Sequence, residues 1–310
     1  MTTSGKADLM LVGVTLLAAM SWIFSREAVL LMPPLLFMAI RFLLAAGILA
    51  VAGHAQLRAL DAHALRRAIS VGLVFAAGMS LWVMGIFTGT HVGEGAFLTS
   101  LGVVMVPILG RLVFDEQQPM STWLAVPVAV GGLALLSLQH GFRPEPGQLF
   151  YVTAACVFAF YYTLNTRAAN DATRTTADGR TVSVARVPAL VLTAVVLATV
   201  GVFTTLLSLV FEPWQPTFAH FSAEMAGWIV ASAVIGTAAR FLLQTHAQSL
   251  SMNTHGVVIM VVEPVWVALL AAGWFGESMS GQQLAGCALI FLALLINRAA
   301  TLRHWLKAVF

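Results

Sequence analysis

Charged residues inside apolar stretches are the clearest candidates for chemistry in this 310-residue chain. Such residues cost from about 2.5 kcal/mol upward in hydrocarbon, so each needs a partner or a role. Glu263 precedes Pro264, which removes a backbone hydrogen bond and loosens the helix there. The carboxylate is a candidate for binding a substrate ammonium group or for carrying a coupling proton. A structural ion pair with Arg240, predicted at similar depth, is the alternative, and a pair that breaks during a cycle satisfies both readings.

A second pair of opposite charges, Glu27 and Arg41, falls near the outer ends of the first two predicted helices. Their similar depth predicts that the two side chains meet in an ion pair. Buried ion pairs often add little net stability, so the pair serves either as a brace between helices or as a gate that opens in alternation. We favour the brace.

Aromatic and hydroxyl side chains offer a second kind of chemistry. The sixth apolar segment is the most polar, because it contains Tyr161, Tyr162 and Asn165. An asparagine can hydrogen-bond a carboxylate or an amine, and aromatic rings can hold a cation or another ring. Single residues of these types are commonly packing contacts, but together they predict a pocket for a small amphipathic molecule. Its other predicted members are Ser21, Trp22, Ser25, Trp82, Thr99, Ser100 and Trp266.

These residues need elements that can hold them in an apolar setting. Apolar residues make up 59% of the chain and charged residues 9%, against about 25% charged in soluble domains. A hydrocarbon core of about 30 Å takes about 20 helical residues to cross, and continuous apolar runs exclude barrel strands. We therefore expect an all-α membrane protein with ten transmembrane helices, at 9–31, 34–53, 68–87, 95–114, 122–138, 149–166, 188–211, 227–245, 256–275 and 283–296.

The basic residues predict the orientation of these helices. With the amino terminus in the cytoplasm, 12 of the 16 Lys and Arg residues lie in inside segments, and the outside loops hold only Arg143. The positive-inside rule then places both termini in the cytoplasm of a bacterial-type inner membrane. This bias explains the net charge of +3, so no nucleic-acid partner is expected.

No cofactor or metal is expected either. Cys156 and Cys287 stand alone, without metal-ligand or redox spacing. The chain has no Gly-x-x-x-x-Gly-Lys motif for a nucleotide, so neither direct ATP drive nor an ATPase subunit is implied. The expected partners are a small-molecule substrate and membrane lipids, with protons as a candidate coupling ion. The oligomeric state stays open.

The two halves of the sequence are related. Residues 102–136 and 263–296 align when Glu116 is matched with Glu277, and a short polar turn and a further helix follow in both copies. Five helices per half is an odd number, so the second half enters the membrane inverted. Inverted repeats are typical of secondary transporters, whose substrate site lies between the repeats near the midplane. We predict repeats at 1–140 and 141–310 within one membrane domain.

The same regions resemble EamA-type permeases of the drug/metabolite transporter superfamily. The resemblance rests on Gly95–Leu101, Val106-Pro107 and Glu116–Pro119 in the first repeat, and on Gln248, Glu263–Val265, Gly276-Glu277, Gly286 and Ile290 in the second. Pro34 and Arg41-Phe42 resemble the second helix of the family. Membership implies a ten-helix inverted-repeat transporter of amino acids, nucleotide precursors, quaternary amines or other small metabolites, mostly outward, and leaves the cargo open.

Three functions follow as hypotheses. The leading one is export of small amphipathic metabolites, most of all amino acids or related amines, by alternating access. The alternative is a proton-coupled carrier of cationic drugs or quaternary amines, with Glu263 as its switch. The remote alternative is an intramembrane enzyme, which needs a nucleophile beside a base. No depth-matched Ser and His occur, so we expect no enzymatic activity. A phosphorylated cargo is disfavoured, since only Arg41 and Arg240 are available to bind it.

Overall fold

A computed structural model of the chain describes residues 3–114, 120–138, 145–170, 172–175, 181–184, 186–250 and 262–297. Predictions about Glu116, Arg143, the Gln248 side chain and the start of the ninth helix fall outside the description. In chain order the α-helices are α1 Thr3–Leu31, α2 Pro34–Ala52, α3 His54–Arg58, α4 Ala62–Thr88, α5 Val92–Phe114, α6 Met120–Leu138, α7 Pro146–Ala169, α8 Ala189–Phe211, α9 Gln215–Ala219, α10 Ala223–Ala233, α11 Arg240–Leu250, α12 Glu263–Phe275 and α13 Gly281–Asn297.

Two further kinds of element complete the described chain. A π-helical segment, Val234–Ala239, joins α10 to α11, and the three together occupy the predicted eighth helix. The link between α7 and α8 contains an antiparallel hairpin of β1, Ala172–Thr175, and β2, Thr181–Val184. Its β-branched threonines and valines suit paired strands. An all-α protein was expected from the apolar segments, and these two short strands, which lie outside those segments, differ from that expectation.

Seven helices in the described part of the chain are long and apolar enough to cross a membrane. They are Met10–Leu31, Pro34–Ala52, Ala62–Thr88, Val92–Val113, Pro146–Ala169, Ala189–Phe211 and Ala223–Ala247. Three shorter apolar helices, Trp123–Leu135, Glu263–Phe275 and Gly281–Asn297, coincide with the remaining predicted spans. The expected helical, multi-pass architecture is therefore present, while the ten-span topology and the position of the termini remain predictions.

The helices pack in equivalent pairs. The second helix of one predicted repeat, α2, packs on α8, the second helix of the other, and the fifth helices α6 and α13 pack together in the same way. The contact between α1 and α12 is matched by the contact between α7 and α5. Because α1 also packs on α10, the π segment and α11, this helix of the first half lies against the helices that carry Arg240 and Glu263.

Two carboxylates cap helices at the end of the bundle where α1 meets α2. Glu212, just after α8, accepts hydrogen bonds from the backbone N–H groups of Leu35 and Leu36 in the first turn of α2, both at 2.8 Å. Glu277, just after α12, accepts from Val92 N and Gly93 N at the start of α5, at 2.8 and 3.1 Å. Helix N-termini favour such negative groups, so both contacts fasten one half of the chain to the other.

Candidate substrate site

The predicted contact between Arg240 and Glu263 is present in the structure. Arg240 Nη2 lies 3.7 Å from Glu263 Oε2, and the two side chains are 12% and 18% exposed. This distance makes an ion pair but is too long for a good hydrogen bond. The other carboxylate oxygen, Oε1, accepts a hydrogen bond from Trp22 Nε1 at 3.3 Å. The site therefore joins α1, the first residue of α11 and the first residue of α12.

An indole cluster surrounds the Trp22 contact. The Trp22 ring packs edge-on against Trp82 of α4, with centroids 4.8 Å apart and planes at 74°. The Tyr151 ring of α7 is tilted by 42° to the Trp22 ring, and their centroids are 5.7 Å apart. Edge-to-face geometry of this kind is favourable beyond the area buried, and all three side chains are buried. Trp22 is thus held in place for Glu263, with Tyr151 as a member that the sequence analysis missed.

A second aromatic group lies on the Arg240 side. Tyr161 stacks on Phe75 with ring centroids 4.0 Å apart, and Phe241 meets the same Phe75 ring edge-on at 5.1 Å. Arg240 places its guanidinium carbon 4.4 Å from the centroid of the Phe241 ring, which is within cation–π range. Tyr162, 5.4 Å from Tyr161, extends the group. Arg240 therefore lies between a carboxylate and an aromatic wall.

The predicted pair of Glu27 and Arg41 is wrong. Glu27 accepts a hydrogen bond from Trp274 Nε1 at 2.7 Å. Arg41 is fully buried and donates to the hydroxyls of Ser25 and Ser21, at 2.7 and 2.6 Å. The two serines are four residues apart on α1 and share one face, whereas Glu27 is two residues past Ser25 and lies about 200° around the helix. The prediction failed because it did not consider which face of α1 each side chain occupies.

The π segment provides the remaining partners of Arg41. Arg41 Nε donates to Thr237 Oγ1 at 2.5 Å, and Nη2 also donates to the Gly236 carbonyl at 3.2 Å. Thr237 in turn donates to the Ser232 carbonyl at 2.8 Å. A Cβ on Gly236 would lie 2.9 Å from Ser21 Cβ, so glycine permits the close approach of α1. Short π-helical turns are frequent at functional sites.

The other residues predicted to line the pocket include Thr99, Ser100, Asn165 and Trp266. Thr99 and Ser100 donate to the carbonyls of Gly95 and Phe97 in their own helix, and within the described chain their hydroxyls make no other hydrogen bond. Asn165 is buried on α7, one turn beyond Tyr161. Trp266 is half-buried on α12, three residues after Glu263. Of the predicted residues, Trp22, Glu263 and Arg240 are therefore in direct contact. The hydroxyls of Thr99 and Ser100 bind their own helix instead.

The assembled side chains can bind a molecule that has both charged groups and an apolar body. Glu263 offers an anion, the guanidiniums offer cations with fixed N–H directions, and the rings offer apolar and π surfaces. Among the described residues, no group of three or more His, Cys, Asp or Glu side chains is placed to hold a metal ion. Non-covalent binding is the chemistry that this arrangement supports.

Comparison with known proteins identifies the family of this chain and supports its fold. The profile of the EamA-like transporter family matches residues 5–138 and again residues 145–299, which confirms the resemblance to EamA-type permeases. A solved structure titled "Crystal structure of protein" is 19% identical, covers 96% of this chain and 98% of its own, and has a TM-score of 0.66, so it shares the fold. None of the curated proteins matches the sequence. The chain belongs to the EamA-like transporter family, and is a multi-pass membrane transporter of small molecules.

Proposed function

We propose that this protein exports small amphipathic metabolites, amino acids or related amines above all, by alternating access. The observation that carries the proposal is the Arg240–Glu263 ion pair, which lies between aromatic groups from both repeats. A pair that is 3.7 Å apart and partly exposed is open to exchange with a ligand. A substrate ammonium group can replace Arg240 at Glu263, so that the carboxylate remains compensated.

The aromatic residues suit the apolar part of such a substrate. Trp22 and Trp82 lie on one side of the ion pair, and Tyr161, Tyr162 and Phe241 lie on the other. Aromatic rings can hold either an alkyl or an aromatic side chain, and they attract an ammonium group through their π faces. The cargo preferred by this wall is small, with a charged end and an apolar end.

Alternating access follows if the two repeats move relative to each other. Trp22 belongs to the first repeat, while Arg240 and Glu263 belong to the second. Rocking of repeats 1–140 and 141–310, inserted with opposite orientations, changes the distance between these residues and exposes the site to either side in turn. We place the protein in a bacterial-type inner membrane, surrounded by lipid, with ten spans and both termini in the cytoplasm.

Counterflow in liposomes tests this proposal. Purified protein is reconstituted with unlabelled leucine or phenylalanine inside, and uptake of the labelled amino acid is followed. We expect exchange by the natural chain and loss of exchange in Glu263→Gln. The matched control is Glu224→Gln, an exposed residue in the first turn of α10, which should leave exchange unchanged. Exchange that survives in Glu263→Gln contradicts the role given to the ion pair.

The proton-coupled carriage of cations is the second candidate, because Glu263 is a carboxylate in contact with the indole of Trp22. The same liposomes, loaded with a labelled quaternary amine and given a pH gradient, separate the two functions. Gradient-driven movement that is abolished by Glu263→Gln supports the second candidate. Amino-acid exchange without any response to the gradient supports the first.

A further inference from the structure

Arg41 is a buried cation without a counter-charge in the described part of the chain. Its side chain is fully inaccessible, and each of its hydrogen-bond partners is neutral: three hydroxyls and one backbone carbonyl. The two carboxylates discussed above have other partners, since Glu263 pairs with Arg240 and Glu27 accepts from Trp274. A buried charge of this kind is costly unless it is paired, so its retention needs a reason.

The hydrogen bonds of Arg41 also fall short of its capacity. A guanidinium has five N–H donors, whereas Arg41 makes four hydrogen bonds, of which Nη1 contributes one, to Ser25. One N–H of Nη1 therefore has no acceptor among the described residues. Nε of Arg240 is also buried and lacks an acceptor there. Two neighbouring guanidiniums thus each keep an unused donor in the apolar interior.

The two guanidiniums belong to one electrostatic group. Arg41 lies 5.5 Å from the Phe42 centroid and Arg240 lies 4.4 Å from the Phe241 centroid, and these two rings are themselves 6.3 Å apart. The Thr237 hydroxyl that binds Arg41 is three residues before Arg240. Among the described residues, Glu263 is the carboxylate that pairs with this group, through Arg240, so the three side chains together carry a net charge of +1. An anion that accepts hydrogen bonds from both guanidiniums removes the repulsion between these two cations and uses the vacant donors.

We infer that the cargo carries a carboxylate, and that this carboxylate binds Arg41 and Arg240. The inference rests on the proposed function and narrows it, because it selects amino acids and monocarboxylates and rejects simple amines and cationic drugs. The planar guanidinium matches the two oxygens of a carboxylate. Ser21 and Ser25 hold Arg41 from its own repeat, while Thr237 and Gly236 hold it from the second. A shift between the repeats therefore releases the N–H groups bound to Thr237 and Gly236 for the cargo.

Three matched sets of probes test the charge of the cargo in the natural chain. The first is leucine with phenylalanine, the second is their decarboxylated amines, isopentylamine and phenethylamine, and the third is their deaminated acids, 4-methylpentanoate and 3-phenylpropionate. Each compound competes in counterflow, and each is tested for thermal stabilisation of the protein in detergent. We expect the carboxylate-bearing probes to bind at least about tenfold better than the amines, the ratio that one charged hydrogen bond supplies.

The possible results are separable. If the amines bind as well as the amino acids or better, the inference is overturned while the proposed export function survives. If no probe exchanges or stabilises the protein, the proposed function fails, and the inference fails with it. Arg41→Gln provides a second arm, in which the preference for carboxylates should fall about tenfold. The matched control is Arg66→Gln on the exposed start of α4, and should Arg41→Gln fail to fold, the natural chain alone decides.

Discussion

Trp22 Nε1 donates a hydrogen bond to Glu263 Oε1 at 3.3 Å, and the two residues are 241 positions apart in the sequence. The contact links the first repeat to the second at the same carboxylate that pairs with Arg240. Glu263 is therefore oriented by one neutral donor and one cation, each on a different helix. A rigid-body movement between the repeats changes the Trp22 contact, because Arg240 and Glu263 both belong to the second repeat.

Replacing Trp22 by phenylalanine should slow transport without unfolding the protein. The ring still packs on Trp82, while the donor to Glu263 is lost. A typical hydrogen bond contributes about 0.5–1.5 kcal/mol, and more with a charged partner, so the initial rate of counterflow should fall by about three- to tenfold. The matched control is Trp123→Phe on the exposed face of α6, where no effect is expected. An unchanged rate in Trp22→Phe means that the contact has no part in transport.

Removing Arg240 alone should destabilise the protein more than removing both members of its pair. The Arg240→Gln variant leaves Glu263 charged and largely buried. Loss of one partner from a buried pair costs about 3–5 kcal/mol, and partial exposure here should reduce this to about 2 kcal/mol. The Arg240→Gln/Glu263→Gln double variant should recover part of this loss.

A double-mutant cycle measures this coupling. The free energy of unfolding in detergent is determined for the natural chain, the two single variants and the double variant. Additive losses would show that the 3.7 Å contact contributes no coupling. Such a result would leave the aromatic wall, and not the ion pair, as the basis of the site.

The sequence predicted the helices well because a segment that crosses lipid must consist mostly of apolar residues, and such segments can be read directly from the sequence. The second predicted helix, 34–53, differs by one residue from α2, Pro34–Ala52. Pairing of Arg240 with Glu263 was predictable because opposite charges at one depth in an apolar environment seek each other. Depth does not fix rotation about a helix axis, however. The prediction for Glu27 and Arg41 failed at that step, since Glu27 lies on a different face from Ser21 and Ser25.

The polar shell around Arg41 could not be predicted for a related reason. Thr237 and Gly236 reach Arg41 from a π-helical turn, and a hydropathy window gives no signal for a change in helical winding. Tyr151 was missed because its position is determined by packing against Trp22, which is a tertiary contact. Short-range patterns therefore place the helices, while helix rotation and local winding decide which side chains meet.

Adding a methyl group at Gly236 should disturb the Arg41 shell. The new Cβ would lie 2.9 Å from both Cβ and Oγ of Ser21, so α1 or the π segment must shift. Overpacking costs about 1–3 kcal/mol, and we expect a loss of this size in stability together with slower exchange. Gly227→Ala on α10 is the control, because nothing lies within 4 Å of its Cβ. Helix propensity there should give a gain of about 0.5–1 kcal/mol. Equal effects of the two substitutions would argue against the close approach.

Loss of the Glu277 carboxylate should open the end of the bundle where α1 meets α2. Glu277 from the second repeat caps the first turn of α5 in the first repeat, through Val92 N and Gly93 N. A cap of this kind is worth about 1 kcal/mol, so Glu277→Ala should raise the population open at this end about fivefold.

Opening is reported by a cysteine introduced as Leu98→Cys, in a chain whose native cysteines are replaced by alanine. Leu98 on α5 is fully buried and lines a small pocket at this end of the bundle. Its labelling by a membrane-impermeant maleimide should be about fivefold faster in Glu277→Ala, because the thiol reacts only when the cap is released. Glu224→Ala, an exposed residue that caps no other helix in the described chain, should leave the rate unchanged. Labelling that is equally slow with and without Glu277 would mean that the α5 cap is rigid structure and not part of the closure between the repeats.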